Sequence, residues 1–564
     1  MVYYIRDFMT DQSNATPAFV EAIDRMAEGD TLLLEGGVYH LRPEGAAVRE
    51  YYISNNDCGF KPIAMPLIGK KNITVDGGGA DLIFHGRILP IVIDRSENVC
   101  VKNLSIDYNK PMYAQAEILE SDATHAVLRF DGKDFSCRVD EKGHFGYYSE
   151  EDGWEYSAIN HNLSLEFSPA GFPLPYGKTY FAYCDAPRDH GMHAHMFRHV
   201  TLEETEKNVI TMRGDIGIVH TPGNYLIMTY ASREFPGIFV TNSRDVSLTD
   251  ICLYHTMSMG VIAQLTENIT LRKIVAQPRQ NSGRLLSVAA DATHFVNCRG
   301  KITIENCKFV QMMDDACNVH GIYNLYTERE TPNTLILGFG HPQQRGIQIY
   351  RKGDRVAVID SEVNQVRAEA TVLSAELIDP ARVRLVLDRE VDEPGAHWVV
   401  DNLSTAPDVS ITDCESGNNR PRGFLLSSAG RIVVERCKFY NMKQGIQLSG
   451  EMKGWYESGC VRDVTIRDND FTNSAYAGGV AILCAPALRA ENFDGYFNGT
   501  VKIENNRFSQ SSKRLARIRL TDRVVFRNNT FHRDPTLPYH QPYYDEGVSF
   551  KQCRVVDYEP AREI

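Results

Sequence analysis

Two aspartates stand side by side in the sequence "FVQMMDDACNVHG", which covers residues 309–321. Adjacent carboxylates repel each other, and Asp314 and Asp315 follow an apolar run that otherwise reads as a buried strand. A third acid, Asp291, precedes them by 23 and 24 residues. Carboxylates that share one patch raise the pKa of at least one member, and general acids need a raised pKa. The spacing therefore predicts acid–base chemistry if the fold brings the three acids together.

Glycoside hydrolysis is a reaction that uses such a cluster. One carboxyl with a raised pKa protonates the leaving oxygen, and an ionised carboxylate attacks the sugar or activates water. Three clustered carboxylates also suit a calcium ion. These residues alone favour hydrolysis, with a calcium site as the alternative.

A repeated pattern along the chain predicts how the acids are positioned. Segments such as "NITVDGGGADLIF" from Asn72, "NITLRKIVA" from Asn268, "KITIENCKF" from Lys301 and "DVTIRDNDF" from Asp463 combine a short alternating strand, a polar corner and a second apolar segment. A repeat of about 20 to 25 residues is typical of a parallel β-helix, whereas a β-sandwich would show turns about every 8 to 12 residues. The first acid should then lie one coil before the adjacent pair.

The interior and the end of such a solenoid are also predicted. Stacking should place Ile73, Ile302, Ile411 and Val464 in one interior column, with Asn and Gly at corners that need left-handed backbone. The open N-terminal end needs a cover, and "ATPAFVEAIDRM" predicts a helix that is capped by Thr16.

Two stretches lack the repeat and alternate like antiparallel strands, which predicts two inserted β-domains. The predicted plan is 1–108 for the N-terminal cap and first coils, 109–239 for the first inserted domain, 240–321 for the coils with the acids, 322–406 for the second inserted domain, and 407–564 for the C-terminal coils.

Histidines and cysteines give weaker signals. His190, His193, His195 and His199 have no established ligand spacing, so we interpret them as polar loop residues and expect neither a metal nor another cofactor. The 13 cysteines form no CxxC pair, and we interpret them as small buried hydrophobes.

Composition limits the partners. The net charge of −13 is spread along the chain without a basic block, so nucleic acid is not expected as a partner. A run of 18 apolar residues, which would span a membrane, is absent from the sequence. The start of the chain shows no secretory signal, so the protein is expected to stay in the cytoplasm, or to be secreted or periplasmic with its signal replaced by Met1. Long solenoid flanks also make a homo-oligomer an open alternative.

Polar and aromatic residues near the acids are candidates for sugar binding. Histidine and amide side chains can donate to hydroxyl groups, and aromatic faces can stack on the apolar face of a sugar. The candidates are His294, Asn318, His320, Asn419, Arg422, Trp455 and Glu457.

Two long segments resemble one known family. "ADATHFVNCRGKITIENCKFVQMMDDACNVHG", residues 290–321, resembles the core motif of the family 110 glycoside hydrolases, bacterial α-1,3-galactosidases that remove terminal α-galactose from blood-group-B-type glycans. "KGWYESGCVRDVTIRDNDF", residues 453–471, is similar to the same family. So is the domain plan, and the resemblance covers most of the chain. It implies an all-β fold, a right-handed parallel β-helix with two inserted antiparallel β-barrel-like domains.

The resemblance also implies an inverting, metal-independent exo-hydrolase that acts on terminal α-galactosyl glycans such as blood group B antigen. The matching catalytic positions are Asp291, Asp314 and Asp315. A further similarity to polygalacturonases implies Asp314 as the general acid and Asp291 with Asp315 as the base. Inversion requires acid and base carboxyls about 6.5 to 9.5 Å apart. Neighbouring strand residues point to opposite faces, so we expect a bend or bulge that turns both adjacent acids outward.

Other functions remain as alternatives. A polygalacturonase would use the same carboxylates but needs Lys and Arg against an acidic substrate, and its Asn-Thr-Asp-Gly and Arg-Ile-Lys stretches are absent from the sequence. A β-helix lyase would need calcium and a basic proton acceptor. A noncatalytic carbohydrate-binding protein, such as an adhesin or a tailspike-like protein, would not need three clustered acids.

Overall fold

Parallel strands that stack coil upon coil build most of the molecule, which confirms the predicted parallel β-helix. The computed structural model describes residues 1–158, 161–174, 179–183, 197–229, 232–489, 493–538 and 544–564. Among these residues, no helix combines the length and the apolar character that a membrane crossing requires.

The N-terminal part supplies a capping helix and the first coils. Helix α1 covers Thr16–Arg25. Thr16 is the first helical residue and not the cap that was predicted. Its Oγ1 instead accepts the backbone N–H of Arg42 at 2.9 Å. The strands are β1 (Val2–Tyr4), β2 (Thr31–Leu33), β3 (Val38–Leu41), β4 (Ala47–Tyr51), β5 (Gly59–Ile68), β6 (Lys71–Phe84), β7 (Leu89–Asp94) and β8 (Glu97–Tyr108), and a short 3-10 helix covers Ile5–Asp7.

A closed barrel and a small sheet interrupt the coils after β8. The strands are β9 (Ala114–Ser121), β10 (His125–Arg129), β11 (Ser136–Val139), β12 (Phe145–Ser149), β13 (Trp154–Ala158), β14 (His161–Phe167), β15 (Thr179–Tyr183), β16 (Phe197–Glu206), β17 (Val209–Gly214) and β18 (Tyr225–Thr229). The barrel order is β10-β17-β16-β15-β14-β18-β9, and β11 to β13 form the separate antiparallel sheet. The pair β15–β16 is parallel, so this barrel is not antiparallel throughout.

The central coils carry the three acids at their corners. Their strands are β19 (Ile238–Thr241), β20 (Arg244–Leu253), β21 (Val261–Gln264), β22 (Glu267–Ala276), β23 (Thr293–Val296), β24 (Arg299–Glu305), β25 (Lys308–Val310) and β26 (Cys317–Ile322).

A second closed barrel follows, with the order β27-β28-β31-β30-β29-β32 and antiparallel pairs. Its strands are β27 (Asn324–Thr331), β28 (Thr334–Phe339), β29 (Arg355–Asp360), β30 (Gln365–Asp379), β31 (Arg382–Leu387) and β32 (Trp398–Asn402), with a 3-10 helix at Pro342–Gln344.

The C-terminal coils continue the parallel stack. Their strands are β33 (Asp408–Thr412), β34 (Glu415–Gly417), β35 (Phe424–Leu426), β36 (Arg431–Glu435), β37 (Lys438–Tyr440), β38 (Ile446–Leu448), β39 (Glu457–Ser458), β40 (Asp463–Arg467), β41 (Asp470–Thr472), β42 (Ile482–Cys484), β43 (Asn498–Glu504), β44 (Arg507–Gln510), β45 (Lys513–Arg527), β46 (Thr530–Arg533), β47 (Asp545–Tyr558) and β48 (Arg562–Glu563).

Apolar columns fill the interior of the solenoid. Strand pairing connects Ile73, Ile302 and Val464 in one column, as predicted. The prediction was wrong for Ile411, which pairs with Ile304 in the adjacent column. Strand residues two positions apart share a face, so both columns point inward and sequence similarity alone did not separate them.

Corners and cysteines follow the sequence pattern. Asn72, at φ 53°, and Asn268, at φ 56°, adopt the left-handed backbone that was predicted for the corners. Cys307, Cys414 and Cys437 are buried at matching places in the coils, and each cysteine of the described part of the chain is a free thiol. The interpretation of the cysteines as buried was wrong for Cys58, which is exposed.

Candidate active site

Three successive coils place charged residues at one corner, just before their strands. The register pairs Thr293 of β23 with Cys317 of β26, and Cys317 with Phe424 of β35. The residues two positions earlier are therefore stacked as well. The result is a column of Asp291, Asp315 and Arg422, which we call the charged ladder.

Backbone hydrogen bonds fix this ladder. The N–H of Ala292 donates to the carbonyl oxygen of Asp315 at 2.9 Å, and the N–H of Ala316 donates to that of Arg422 at 3.3 Å. The N–H of Asp315 also donates to Oδ1 of Asp291 at 3.1 Å. The predicted adjacency of Asp291 and the Asp314/Asp315 pair is thus present, at one coil of separation.

The adjacent acids lie in the corner between β25 and β26, where the backbone bends at Asp314. The predicted bend is present, and it allows neighbouring side chains to face the same patch. The expectation that both acids face outward was wrong for Asp315, whose side chain is buried beside Arg422. One carboxylate oxygen from each of Asp291, Asp314 and Asp315 lies within 4.8 Å of the others. Side-chain exposure is 16% for Asp314, 5% for Asp291 and 1% for Asp315, so Asp314 is the most accessible to solvent.

Arginines balance two of the three acids. Arg422 donates to Oδ1 of Asp315 through Nε at 2.9 Å, and its Nη2 lies 2.8 Å from Oδ2. This two-pronged pairing favours the ionised form of Asp315. Asp314 lies between Arg233, whose Nη2 is 3.0 Å from Oδ2, and Arg420, whose Nη2 is 3.6 Å from Oδ1.

Burial and mutual repulsion shift the pKa values of the two aspartates in the charged ladder. Burial and the neighbouring Asp314 together raise the pKa of Asp291 to about 8, against the attraction of Arg233 and Arg422. Burial likewise raises the pKa of Asp315 to about 8, against the attraction of Arg422. Because Asp315 has the two-pronged arginine partner and Asp291 has none, the geometry places the proton at Asp291.

The three acids form a compact cluster, because one oxygen of each lies within 4.8 Å of the others. The separation of roughly 6.5 to 9.5 Å that inversion requires is a distance between whole carboxyl groups, and it stays a prediction.

The same spacing of carboxylate oxygens could hold a hard cation such as calcium, so the groups around the three aspartates decide whether a cation fits. Arg233, Arg420 and Arg422 already place three positive groups around the acids. A divalent ion here would lie against these guanidinium groups, which makes the set a poor fit for calcium.

A second cluster with metal-like spacing is His85, Glu151 and Asp152. His85 uses Nδ1 with Asp152 at 2.6 Å and Nε2 with His40 at 2.8 Å, so both of its ring nitrogens already have partners. Of the predicted loop histidines, His190, His193 and His195 lie outside the described residues, and His199 is an exposed residue of β16.

His294 and His320 lie next to the ladder on paired strands. His294 Nδ1 is 2.6 Å from Oδ2 of Asp291, and its Nε2 is 3.0 Å from Nε2 of His320. His320 Nδ1 is 2.6 Å from the carbonyl oxygen of Gly321. Both rings are buried, and every ring nitrogen has a partner within the protein. The structure therefore brings both histidines to the acids, but with no nitrogen left over for a sugar hydroxyl.

Glu457 and Asn318 form a polar wall beside the histidines. Glu457 accepts from Nδ2 of Asn55 at 3.1 Å and lies 3.6 Å from Nε2 of His320. Although burial opposes it, the nearby His320, His294 and Arg422 lower the pKa of Glu457. Asn318 directs Nδ2 towards Glu457 at 3.5 Å, and its buried Oδ1 lacks a partner among the described residues.

Trp455 is a half-buried aromatic wall of the same site. It packs against His341 of the second insertion, with ring centroids 3.9 Å apart. The guanidinium carbon of Arg233 lies 5.8 Å from the Trp455 ring, which connects this wall to Asp314.

Asn419 has a supporting position, unlike the direct sugar contact that was predicted. Its Nδ2 donates to the carbonyl oxygens of Asp314, at 2.8 Å, and Arg422, at 2.5 Å, while its Oδ1 accepts from Asn441 at 2.6 Å. The side chain is fully buried and holds the corner together.

Sequence reasoning missed Arg233, Asn55, His341 and Arg420. Arg420 lies in "NNRPRG", the segment that gave two other candidates, so a signal for it was present. The other three come from segments outside the repeat, and strand spacing gives no register for them.

Family models match two parts of the chain. "GLAA-B beta-barrel domain II" matches residues 334–394, which lie in the second barrel, and "Right handed beta helix region" matches residues 401–531.

Whole-chain relatives are also found. A protein of Phocaeicola vulgatus named alpha-1,3-galactosidase B is 34% identical, with 93% of this chain and 88% of the relative covered. A protein of Shewanella woodyi named alpha-1,3-galactosidase A is 31% identical, with 93% and 84% covered. Among solved structures, the A-module of a mannuronan C-5 epimerase from Azotobacter vinelandii aligns over 100% of this chain and 99% of its own, with 11% identity and a TM-score of 0.39.

Proposed function

Because the chain belongs to the α-1,3-galactosidase family, the family 110 glycoside hydrolases, we propose that its acid cluster removes terminal α-1,3-linked galactose from glycans such as blood group B antigen, with inversion. The observation that carries this proposal is the charged ladder of Asp291, Asp315 and Arg422 with Asp314 beside it. The cluster supplies carboxyl groups for both roles of the reaction, a protonated acid and an ionised base.

The reaction needs one carboxyl of each kind. The protonated carboxyl gives its proton to the glycosidic oxygen as the bond from that oxygen to the anomeric carbon breaks. Water bonds to the anomeric carbon from the opposite face, and its proton passes to an ionised carboxylate. The products are free galactose and the shortened glycan.

Inversion is supported by how the carboxylates are held. A retaining enzyme needs a carboxylate that is free to bond to the anomeric carbon. Both oxygens of Asp315 contact Arg422, and both oxygens of Asp314 face arginines. Carboxylates held in this way can position a water molecule, but they are hindered as nucleophiles.

Removal of a single terminal sugar is supported by the walls around the acids. Asn55, Arg233, His341 and Glu457 come from four separate parts of the chain, and contacts connect them to the acids directly or through Trp455 and His320. Walls built from separate segments suit the end of a glycan better than its middle.

A neutral substrate fits this site better than an acidic one. A polygalacturonase-like site needs cations that are free to bind substrate carboxylates. Arg233, Arg420 and Arg422 all face aspartates of the site instead. The cluster therefore favours galactose over galacturonate.

The test is galactose release from p-nitrophenyl α-galactoside and from B trisaccharide, with and without a chelator. We expect release from both substrates without loss on chelation, and proton NMR should show β-galactose as the first anomer. Absence of galactose from both substrates would remove the function. Loss with chelator would restore the calcium alternative, and α-galactose as the first product would replace inversion by retention.

A further inference from the structure

A line of three hydrogen bonds leads away from the acid cluster. It starts at Oδ2 of Asp291, passes through both rings of His294 and His320, and ends at the carbonyl oxygen of Gly321. The three gaps measure 2.6, 3.0 and 2.6 Å, and the three side chains are buried.

The number of protons in this line follows from its chemistry. Each gap is too short for two facing lone pairs, so each must contain one proton. A neutral imidazole carries one N–H, and a carbonyl oxygen can only accept. Neutral His294 and His320 therefore bring two protons to three gaps. The third gap needs one more proton, which two neutral rings and an ionised Asp291 do not have.

We propose that Asp291, His294 and His320 share this extra proton, and that the two histidines are positioning residues that keep Asp291 neutral in the resting site. The proton count depends only on the distances between heavy atoms. Its use in catalysis rests on the proposed glycoside hydrolysis.

The shared proton has three possible positions along the line. It can lie on Asp291, on His294 as an imidazolium, or on His320 as an imidazolium, and each position fills all three gaps. In each case the three side chains together carry no net charge. The line therefore removes one negative charge from a cluster that would otherwise hold three carboxylates.

Surrounding groups decide among these positions. The charged groups that face the line are Asp314, Asp315, Arg233, Arg422 and Glu457. Burial raises the pKa of Asp291 to about 8 and lowers that of His294 to about 4, although Glu457 opposes the second shift. Both directions place the proton on Asp291, with His294 and His320 neutral.

This location limits what Asp291 can do. Each gap of the line must contain a proton, so Asp291 cannot give its proton to the glycosidic oxygen without emptying the gap to His294. Asp291 therefore stays neutral and lowers the negative charge beside Asp314 and Asp315, which lie against Arg233, Arg420 and Arg422. The expected acid remains Asp314, as the resemblance to polygalacturonases implied, whereas a neutral Asp291 cannot share the role of base with Asp315.

A direct test is neutron diffraction from crystals of the whole protein exchanged into D2O near pD 6.5. We expect deuterium in each of the three gaps. One empty gap would overturn the proposal, because two neutral histidines and a carboxylate would then account for every proton. This measurement does not depend on activity.

A kinetic test uses His320→Gln. The amide N–H of Gln can donate to His294 Nε2, so the line no longer needs the extra proton and Asp291 can ionise at lower pH. We expect the alkaline limb of the kcat/KM profile to move down by about one pH unit or more. His532→Gln, on the C-terminal coils, should leave the limb in place. An unmoved limb in the folded His320→Gln protein would refute the positioning role.

These results separate the two proposals. Galactose release together with an empty gap would support the hydrolase proposal and refute the shared proton. Three deuterons without galactose release would support the shared proton and refute the hydrolase proposal.

Discussion

The guanidinium Nη2 of Arg233 lies 3.0 Å from Oδ2 of Asp314, a residue 81 positions further along the chain. Asp57 holds Arg233 in place, because its Oδ2 accepts the Arg233 backbone N–H at 3.0 Å. The segment that returns from the first barrel to the coils thus supplies a charge partner for the acid cluster.

Replacement of Arg233 by Gln should therefore lower kcat/KM by about 10- to 100-fold, since Asp314 loses its nearest positive partner. Arg233→Lys should recover part of the loss. A matched control is Arg87→Gln, which removes the partner of Glu234, the residue next to Arg233. Steady-state rates on p-nitrophenyl α-galactoside measure all three, and a wild-type rate for Arg233→Gln would contradict the assigned contact.

Loss of either adjacent acid should abolish most turnover. Asp314→Asn and Asp315→Asn should each lower kcat by about 10² to 10⁴-fold, the usual contribution of one positioned proton transfer. Asp413→Asn is the control, because that carboxylate pairs with Arg436 at an exposed corner. Circular dichroism should show the same fold for all variants. Near wild-type activity of either variant would refute the role of that residue.

Substrates with different leaving groups should identify the acid. A nitrophenolate leaves without much protonation, whereas the sugar oxygen of B trisaccharide needs it. If Asp314 is the acid, Asp314→Asn should lose at least about tenfold more activity on the trisaccharide than on the aryl galactoside. The opposite pattern, with Asp291→Asn as the variant that retains aryl activity, would assign the acid role to Asp291 and contradict its part in the line of hydrogen bonds.

Stability should depend on pH through the same carboxyl. A pKa of about 8 in the folded protein, against an ordinary value of 3.8, means that Asp291 binds its proton more tightly when folded. Its stabilising contribution is full below about pH 4 and is lost as the pH rises towards 8, by at most about 1.4 kcal/mol per pH unit.

The free energy of unfolding of Asp291→Asn, measured with urea between pH 5 and 8, should therefore fall less steeply than that of the wild type. An Asn amide can also donate to His294, so the line of hydrogen bonds stays complete. Asp413→Asn should run parallel to the wild type over this range. Parallel slopes for Asp291→Asn would show that Asp291 is already ionised at pH 5.

Trp455 should contribute to substrate binding more than to the chemical step. Trp455→Ala should raise KM about 5- to 20-fold with a smaller change in kcat, because the aromatic face that borders Asp314 through Arg233 is lost. Trp455→Phe should restore much of the affinity. An unchanged KM for the Ala variant would assign Trp455 to packing against His341 alone.

The sequence was sufficient for the parts of the site that obey the coil period. Asp291, Asp315 and Arg422 lie at the same position in three coils, so counting residues between strands places them together. The interior columns follow from the same periodicity. Ile411 was predicted in the column of Ile302 but lies in the adjacent one, because alternate strand residues share a face.

The remaining contacts could not be predicted because they do not repeat. Arg233 follows the first insertion and His341 lies within the second, so barrel packing and not a residue period sets both positions. His294 and His320 were correctly predicted to flank the acids. Their partners were not, since hydrogen bonding between ring nitrogens depends on side-chain rotamers that spacing does not fix.

The hydrogen bond from Asn55 to Glu457 joins residues that are 402 positions apart, and it has a consequence for biosynthesis. A ribosome makes the chain from its N-terminus, so Asn55 and all three aspartates emerge well before Glu457 does. The contact between Asn55 and Glu457 can form only after residue 457 has left the exit tunnel. A nascent chain thus presents the three acids before this contact exists, and a chain that ends before residue 457 carries the acids without it.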